Sequence, residues 1–221
     1  MNKQISIINK NCIDGLKKLE SNSINAVVTD PPYFCGMTHN GNKGIYSDLN
    51  LMEPFFKIVF EEFKRVLKPD GEVYVFCDWR TYPFFYPILE QIFTVRNRIT
   101  WDKKSGPGCY YSFCHEDIIF CTNPSPAFNK HKRGLNIWRF PAFSSGAKKT
   151  NGEKIHPTQK PLELIEHLVL SSTQEGETVL DCFVGSGTTA VACKKLKRQF
   201  VGFEIQSKYY QMALKRLKEV K

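Results

Sequence analysis

The chain of 221 residues is 24% charged and 42% hydrophobic, a balance that excludes a disordered tract, a collagen and a coiled coil. At roughly 100–200 residues per domain it makes one large domain or a domain with one insertion, and no apolar run approaches the ~20 residues that span a bilayer. Lysine and arginine outnumber aspartate and glutamate by 31 to 22, a net charge of +9, which favours a polyanionic partner.

Met1 to Gly15 lacks the apolar core of a secretory signal, so a cytoplasmic protein without membrane contact is expected. Ile5 to Ile8 reads as a strand, Asp14 to Leu19 as a short helix, and Ile24 to Thr29 (INAVVT) as a buried strand ended by Asp30-Pro31-Pro32-Tyr33. Residues 34–50, rich in Gly and Asn, read as a loop. From Met52 to Leu67, Phe55, Phe56, Val59, Phe60, Phe63, Val66 and Leu67 carry helical spacing. Lys68-Pro69-Asp70-Gly71 is a turn before the strand Glu72 to Cys77. A helix over Pro83 to Ile92 and strands over Phe93 to Trp101 and Glu116 to Thr122 follow, and the remainder up to about Ile155 shows no period.

Order returns with a helix over Pro161 to Leu170, a strand over Glu177 to Asp181, a tight Gly185-Ser186-Gly187 loop and a helix over Thr188 to Leu196. The strand Phe200 to Glu204 and a basic amphipathic helix over Tyr209 to Val220 close the chain. Strands alternating with helices predict an α/β fold with a mainly parallel sheet. The eight cysteines, Cys12, Cys35, Cys77, Cys109, Cys114, Cys121, Cys182 and Cys193, contain no CxxC pair. Reduced thiols and no metal are therefore expected, the weak grouping of Cys109, Cys114, His115 and Cys121 notwithstanding.

Val179 to Asp181 delivers the chain to a glycine turn that opens a helix, where free N–H groups and a partial positive charge suit a nucleotide. Glu204, 17 positions beyond Gly187, can hold the two hydroxyls of a ribose. Gly185-x-Gly187-x-x-Ala190 formally fits a dinucleotide site and hence an NAD-dependent oxidoreductase. Asp181, ahead of the loop, would repel a pyrophosphate and attract an ammonium. An ammonium, a carboxylate and a ribose together describe S-adenosylmethionine. Asp30-Pro31-Pro32-Tyr33 is by itself either a polyproline turn or a base site. Its position beyond a buried strand, in the manner of ligand sites of open α/β sheets, favours the latter. Asp30 and the Pro31 carbonyl can accept the two N–H bonds of an exocyclic amine, with Pro32 stiffening the turn and the Tyr33 ring stacking on the base.

In chain order, Asp30-Pro31-Pro32-Tyr33, a basic insert, His156-Pro157-Thr158-Gln159-Lys160-Pro161 and Phe183-Val184-Gly185-Ser186-Gly187 resemble the beta-class amino-methylating DNA methyltransferases over essentially the whole chain. The resemblance implies a Rossmann-like, S-adenosylmethionine-dependent methyltransferase fold, circularly permuted, with a mixed seven-stranded sheet. The first strand lies beside Phe200–Glu204, and Glu177–Asp181 lies beside Ile24–Thr29. It implies a single domain over 1–221: a catalytic half over 1–95, a basic target-recognition region over about 96–155, and a cofactor-binding half over 156–221. Phe183 is then near the cofactor adenine, Glu204 at the ribose, and His156, Thr158 and Lys160 around the methionine end, with Lys160 and Thr188 at its carboxylate. Asp30, Asp181, Gly185 and Gly187 complete the cofactor-binding set, and Asn11 stands where the family often has an aspartate. Trp101 to Thr122, with His115-Glu116, resembles the motif before the recognition insert.

The implied activity is methylation of the N6 amine of adenine in double-stranded DNA, after flipping of the base. The first motif residue, Asp30, favours adenine; N4-cytosine methylation is the alternative, ahead of the oxidoreductase and of a non-catalytic nucleic-acid-binding module. A homodimer and a cognate restriction endonuclease are further partners that the resemblance admits. Twelve basic residues against four acidic ones lie between Arg96 and Lys160, interleaved with Tyr110, Tyr111, Phe113, Phe128 and Trp138. Lys130, Lys132, Arg133 and Arg139 are the DNA-binding candidates, for a short target of about 4–6 base pairs. Replacing Lys130, Lys132 and Arg133 together by alanine is expected to weaken binding to all duplexes. The salt slope should flatten by up to ~3 units, about 0.9 per lost phosphate contact, with cofactor affinity unchanged. Titrating DNA across salt checks this, and an unchanged slope and affinity would place the contact elsewhere.

Overall fold

The computed structural model describes residues 5–33, 49–106, 108, 110–123, 134–142, 149–150, 153–154 and 159–220. In chain order the elements are β1 (Ile5–Ile8), α1 (Cys12–Leu16), β2 (Ile24–Thr29), α2 (Leu49–Val66), β3 (Leu67–Cys77), α3 (Tyr82–Ile92), β4 (Thr94–Asp102) and β5 (His115–Thr122). There follow β6 (Ile137–Arg139), β7 (Lys149–Thr150), β8 (Glu153–Lys154), α4 (Leu162–Ser172), β9 (Thr178–Asp181), α5 (Thr188–Lys195), β10 (Gln199–Phe203) and α6 (Ser207–Glu219). No described helix is long and apolar enough to cross a membrane.

Every position of β2 is buried, as a strand covered on both faces requires. Alternate side chains feed two cores. Val27, Val73 and Val75 meet Phe56, Phe60, Phe63 and Phe85 of α2 and α3. Val28, Tyr74 and Phe76 meet Leu164 and Leu168 of α4 and Ala190 of α5. Helices α1 to α3 thus cover one face and α4 to α6 the other. The sheet order is β1-β10-β9-β2-β3-β5-β4-β6. The strands from β1 to β3 run parallel, β5 is antiparallel to β3 and β4, and β6 is parallel to β4. The chain leaves β9 toward β10 and leaves β2 toward β3. The sheet therefore reverses its winding between β9 and β2, where open α/β sheets form a crevice at the carboxyl ends of their strands.

The sheet has eight strands rather than the expected seven. The additional β6 holds three residues, too few to show a period, and is tied down by Trp101 Nε1 donating to the Phe140 carbonyl at 2.7 Å. The turn expected at Lys68 to Gly71 is a bulge inside β3. Ile24 pairs with Leu67 and Ala26 with Glu72, so the four residues between have no place in the ladder. The first helix begins at Cys12 rather than Asp14, because the Asn11 side chain accepts the Ile13 amide at 2.9 Å and caps it. Gly15 lies within that helix because a Cβ there would come 2.3 Å from the buried Phe203 ring.

Candidate active site

Two buried hydrogen bonds join the ends of β2 and β9. The Thr29 hydroxyl donates to Asp181 Oδ1 at 3.0 Å and accepts the Cys182 amide at 3.3 Å. Asp181 Oδ1 also accepts the Phe183 amide at 3.0 Å, and its Oδ2 accepts the Thr189 hydroxyl at 2.8 Å. Burial pushes the Asp181 pKa up to about 6 against the pull of these donors. Among the described residues no cation pairs with Asp181.

Beyond β9 the chain turns through Gly185 (φ 52) and Gly187 (φ 83), both in the left-handed region. A Cβ on Gly187 would come 2.7 Å from the Ala213 Cβ of α6, so this glycine lets a helix approach. It does not line the cleft described below. Glu204 follows β10 and braces the turn: Oε2 accepts the Gly185 amide and Oε1 the Gln206 amide, both at 2.8 Å. Burial raises its pKa. Each oxygen retains a second lone pair for a ribose hydroxyl. The Lys10 amide donates to the Glu204 carbonyl at 3.2 Å, which puts Asn11 along the same edge of the sheet. Thr188 and Ser186 share one nitrogen of Arg216, at 3.2 Å from the Thr188 hydroxyl and 2.9 Å from that of Ser186.

Asp30 leaves the end of β2 one residue beyond Thr29. Its Oδ2 accepts from Lys160 Nζ at 2.6 Å, and the same ammonium lies 3.2 Å from Glu116 Oε2 on β5. Glu116 also takes the Tyr33 hydroxyl on Oε2 at 3.0 Å and Lys103 on Oε1 at 3.3 Å. The Lys160 ammonium lies 5.1 Å from the centre of the Tyr33 ring. Desolvation raises the Asp30 pKa, although Lys160 pulls it down. Burial opposes the charge of Glu116, but Lys160 and Lys103 together overcome it and hold its pKa below the usual carboxylate value. Burial likewise opposes the Lys160 ammonium, and the two carboxylates together raise its pKa. A quarter of the Asp30 side chain is exposed, yet its Oδ1 is buried without a hydrogen-bond partner. An unpaired buried acceptor is costly, and the residue that carries it lines a cleft.

That cleft encloses about 490 Å³, part of it open to solvent. Of the sequence candidates, Asp30, Lys160, Asp181, Phe183, Gly185 and Thr188 line it. Asn11 and Glu204 lie beyond its lining, toward β1. Arg139 is an exposed residue of the edge strand β6, 3.5 Å from Asp102. His156, Thr158, Lys130, Lys132 and Arg133 lie outside the described residues. Lys103 and Arg216 were given no site role in the sequence reading, and Glu116 was named there only as part of a motif. The His115-Glu116 pair was the available signal, and only the register of β5 shows that Glu116 faces Tyr33.

A family model described as DNA methylase matches residues 24–215. A type II methyltransferase of Haemophilus parainfluenzae, M.HpaI, is 36% identical over 96% of this chain and 73% of its own length. The DNA adenine methyltransferase YhdJ of Escherichia coli is 28% identical over 98% of this chain and 83% of its own length. The crystal structure of an M1.HpyAVI–SAM complex superposes with a TM-score of 0.70 at 26% identity, covering 97% of this chain and 100% of that one.

Because folding raises the Asp181 pKa from 3.8 to about 6, the folded state prefers the proton. The stability this confers is full below pH 3.8 and is lost as pH rises through 6. Asp181→Asn is expected to be more stable than wild type at pH 8, by up to about 3 kcal/mol, and the two should converge near pH 4. Urea unfolding across pH reads this difference; a wild type more stable at pH 8 would contradict it.

Proposed function

The chain belongs to the DNA methylase family, and from that premise we propose that it methylates the N6 amine of adenine in double-stranded DNA, with S-adenosylmethionine as donor. The observation that carries the reading is the buried, unpartnered Oδ1 of Asp30 in the cleft wall at the end of β2. It is an acceptor without a donor, placed where a flipped base would bring an amine.

The residues present fit the donor. Asp181, a buried carboxylate with no cationic partner among the described residues, suits its ammonium. The Thr188 hydroxyl suits its carboxylate together with the Ser186 hydroxyl and the glycine turn, whereas Lys160, expected there, is engaged by Asp30 and Glu116; Glu204 suits its ribose and Phe183 its adenine. When bound, S-adenosylmethionine supplies an electrophilic methyl group on a sulfonium. The same Asp181 opposes the pyrophosphate that the oxidoreductase reading requires.

The chain's own residues prepare the nucleophile. An exocyclic amine is a weak one because its lone pair conjugates with the ring. Asp30 Oδ1 and the Pro31 carbonyl accept its two N–H bonds, which favours a pyramidal nitrogen whose lone pair is free to attack in line. Acceptors set where positive charge develops lower the barrier electrostatically. The methylated nitrogen must then shed a proton, and Asp30, its pKa raised by burial, is placed to take it. The bond from the Tyr33 hydroxyl to Glu116 fixes the ring on which the flipped base stacks.

Asp30 as first motif residue and the relative named as a DNA adenine methyltransferase support adenine over N4-cytosine. The division into catalytic, recognition and cofactor-binding regions, and phosphate contacts by Lys130, Lys132, Arg133 and Arg139, form part of the proposal. The relative named as a type II methyltransferase supports extending it to a cognate restriction endonuclease; the homodimer rests on the resemblance alone. A cytoplasmic site of action accords with a DNA substrate. Asp30→Ala is expected to lower methyl transfer by at least roughly 10²–10³-fold while cofactor affinity stays within a few-fold. Turnover near wild type would remove the role. Nucleoside analysis of DNA methylated by the wild type is expected to give N6-methyladenine, and N4-methylcytosine would overturn the base assignment.

A further inference from the structure

A second cluster stands at the rim of the same edge of the sheet. The chain leaves β3 at Cys77, and Trp79 follows two residues later. Thr29 pairs with Val75, so Trp79 emerges one strand over from Asp30. Cys77 pairs with Asp117 on β5, so Phe113, two residues ahead of β5, emerges on the far side of Trp79. Glu116, bonded to Tyr33, lies between.

The cluster is rigidly built. Asp78 Oδ1 accepts both the amide and the hydroxyl of Thr81, at 2.8 and 2.6 Å, and its Oδ2 accepts Arg80 Nε at 3.1 Å. These bonds fix the turn that opens α3. The Arg80 guanidinium lies 5.4 Å from the centre of the Trp79 ring and 5.8 Å from that of Phe113. Yet Trp79 is 56% exposed and Phe113 44%. A large aromatic held in place and left in water is a binding element rather than core. A guanidinium between two rings adds a phosphate-binding cation to a stacking surface.

Resting on the methyltransferase reading, we propose that Trp79, held by an Arg80 that also lies against Phe113, is a stacking wedge that supports the duplex beside the flipped target base. Extracting a base removes its stacking partners and leaves a gap in the helix. An aromatic face at the rim of the site replaces that stacking whatever the neighbouring base, while Arg80 meets the adjacent phosphate. The wedge acts on the duplex and not on the amine, so it is dispensable where the target base is already unpaired.

The test compares wild type, Trp79→Ala and Trp79→Phe on two duplexes, one with the target adenine paired and one with it opposite an abasic site. Trp79→Ala is expected to lose roughly fivefold to a hundredfold in kcat/KM on the paired duplex and to recover most of it on the abasic duplex. Trp79→Phe should stay near wild type, and binding of S-adenosylmethionine should be unchanged in both. Wild-type rates for Trp79→Ala on the paired duplex, or an equal loss on both duplexes, would overturn the wedge. A wild-type protein that methylates neither duplex would instead overturn the reading on which the wedge rests.

Discussion

The site depends on one buried cation. Lys160, ahead of α4, places its ammonium between Asp30 at the end of β2 and Glu116 on β5, with only 7% of its side chain exposed. Removing one partner of such a buried pair costs on the order of 3–5 kcal/mol, so the contact anchors three chain segments to one another. It also divides the work of the carboxylates. Glu116, facing two lysines, is held firmly ionised and orients Tyr33. Asp30, facing one, stays more basic, with one oxygen committed to Lys160 and the other unpartnered. An acceptor that is fixed in place and more basic than an ordinary carboxylate is what methylation of a poor amine nucleophile requires.

The two ends of the cleft make opposite use of burial. At Asp30 a cation offsets the desolvation of a carboxylate; at Asp181 only hydroxyls and an amide do so. The uncompensated charge at Asp181 destabilises the folded protein at neutral pH and, in the proposed function, is what attracts the ammonium of the donor. Stability sacrificed at a binding site in this way is a recurrent trade-off. The reversal of winding between β9 and β2 brings both carboxylates into one cleft, tied by the Thr29 hydroxyl.

The parts of this arrangement legible in the sequence were the local ones. INAVVT announces a strand covered on both faces, and Asp30-Pro31-Pro32-Tyr33 and Gly185-Ser186-Gly187 mark where β2 and β9 stop, because proline and glycine act on their own backbone. The strand neighbours followed from the resemblance, and β10 does lie beside β1. What was not legible depends on register. The bulge at residues 68–71 exists only against β2, and β6 gains its identity only by pairing with β4. Gly187 looks like a ligand-facing glycine, but its missing side chain faces Ala213, a residue of the last helix. Glu116 enters the site through the antiparallel alignment of β5, and Lys160 meets Asp30 across 130 positions of chain. No spacing rule encodes such a distance.

Lys160 controls how readily Asp30 gives up its proton. The decisive measurement is the pH dependence of single-turnover methyl transfer, at saturating DNA and S-adenosylmethionine, in wild type and Lys160→Met. Lys160 lowers the Asp30 pKa against burial, so its removal should raise that pKa. An acid limb displaced to higher pH is expected in Lys160→Met, with the deficit shrinking as pH rises. An acid limb at the same pH in both proteins would contradict it.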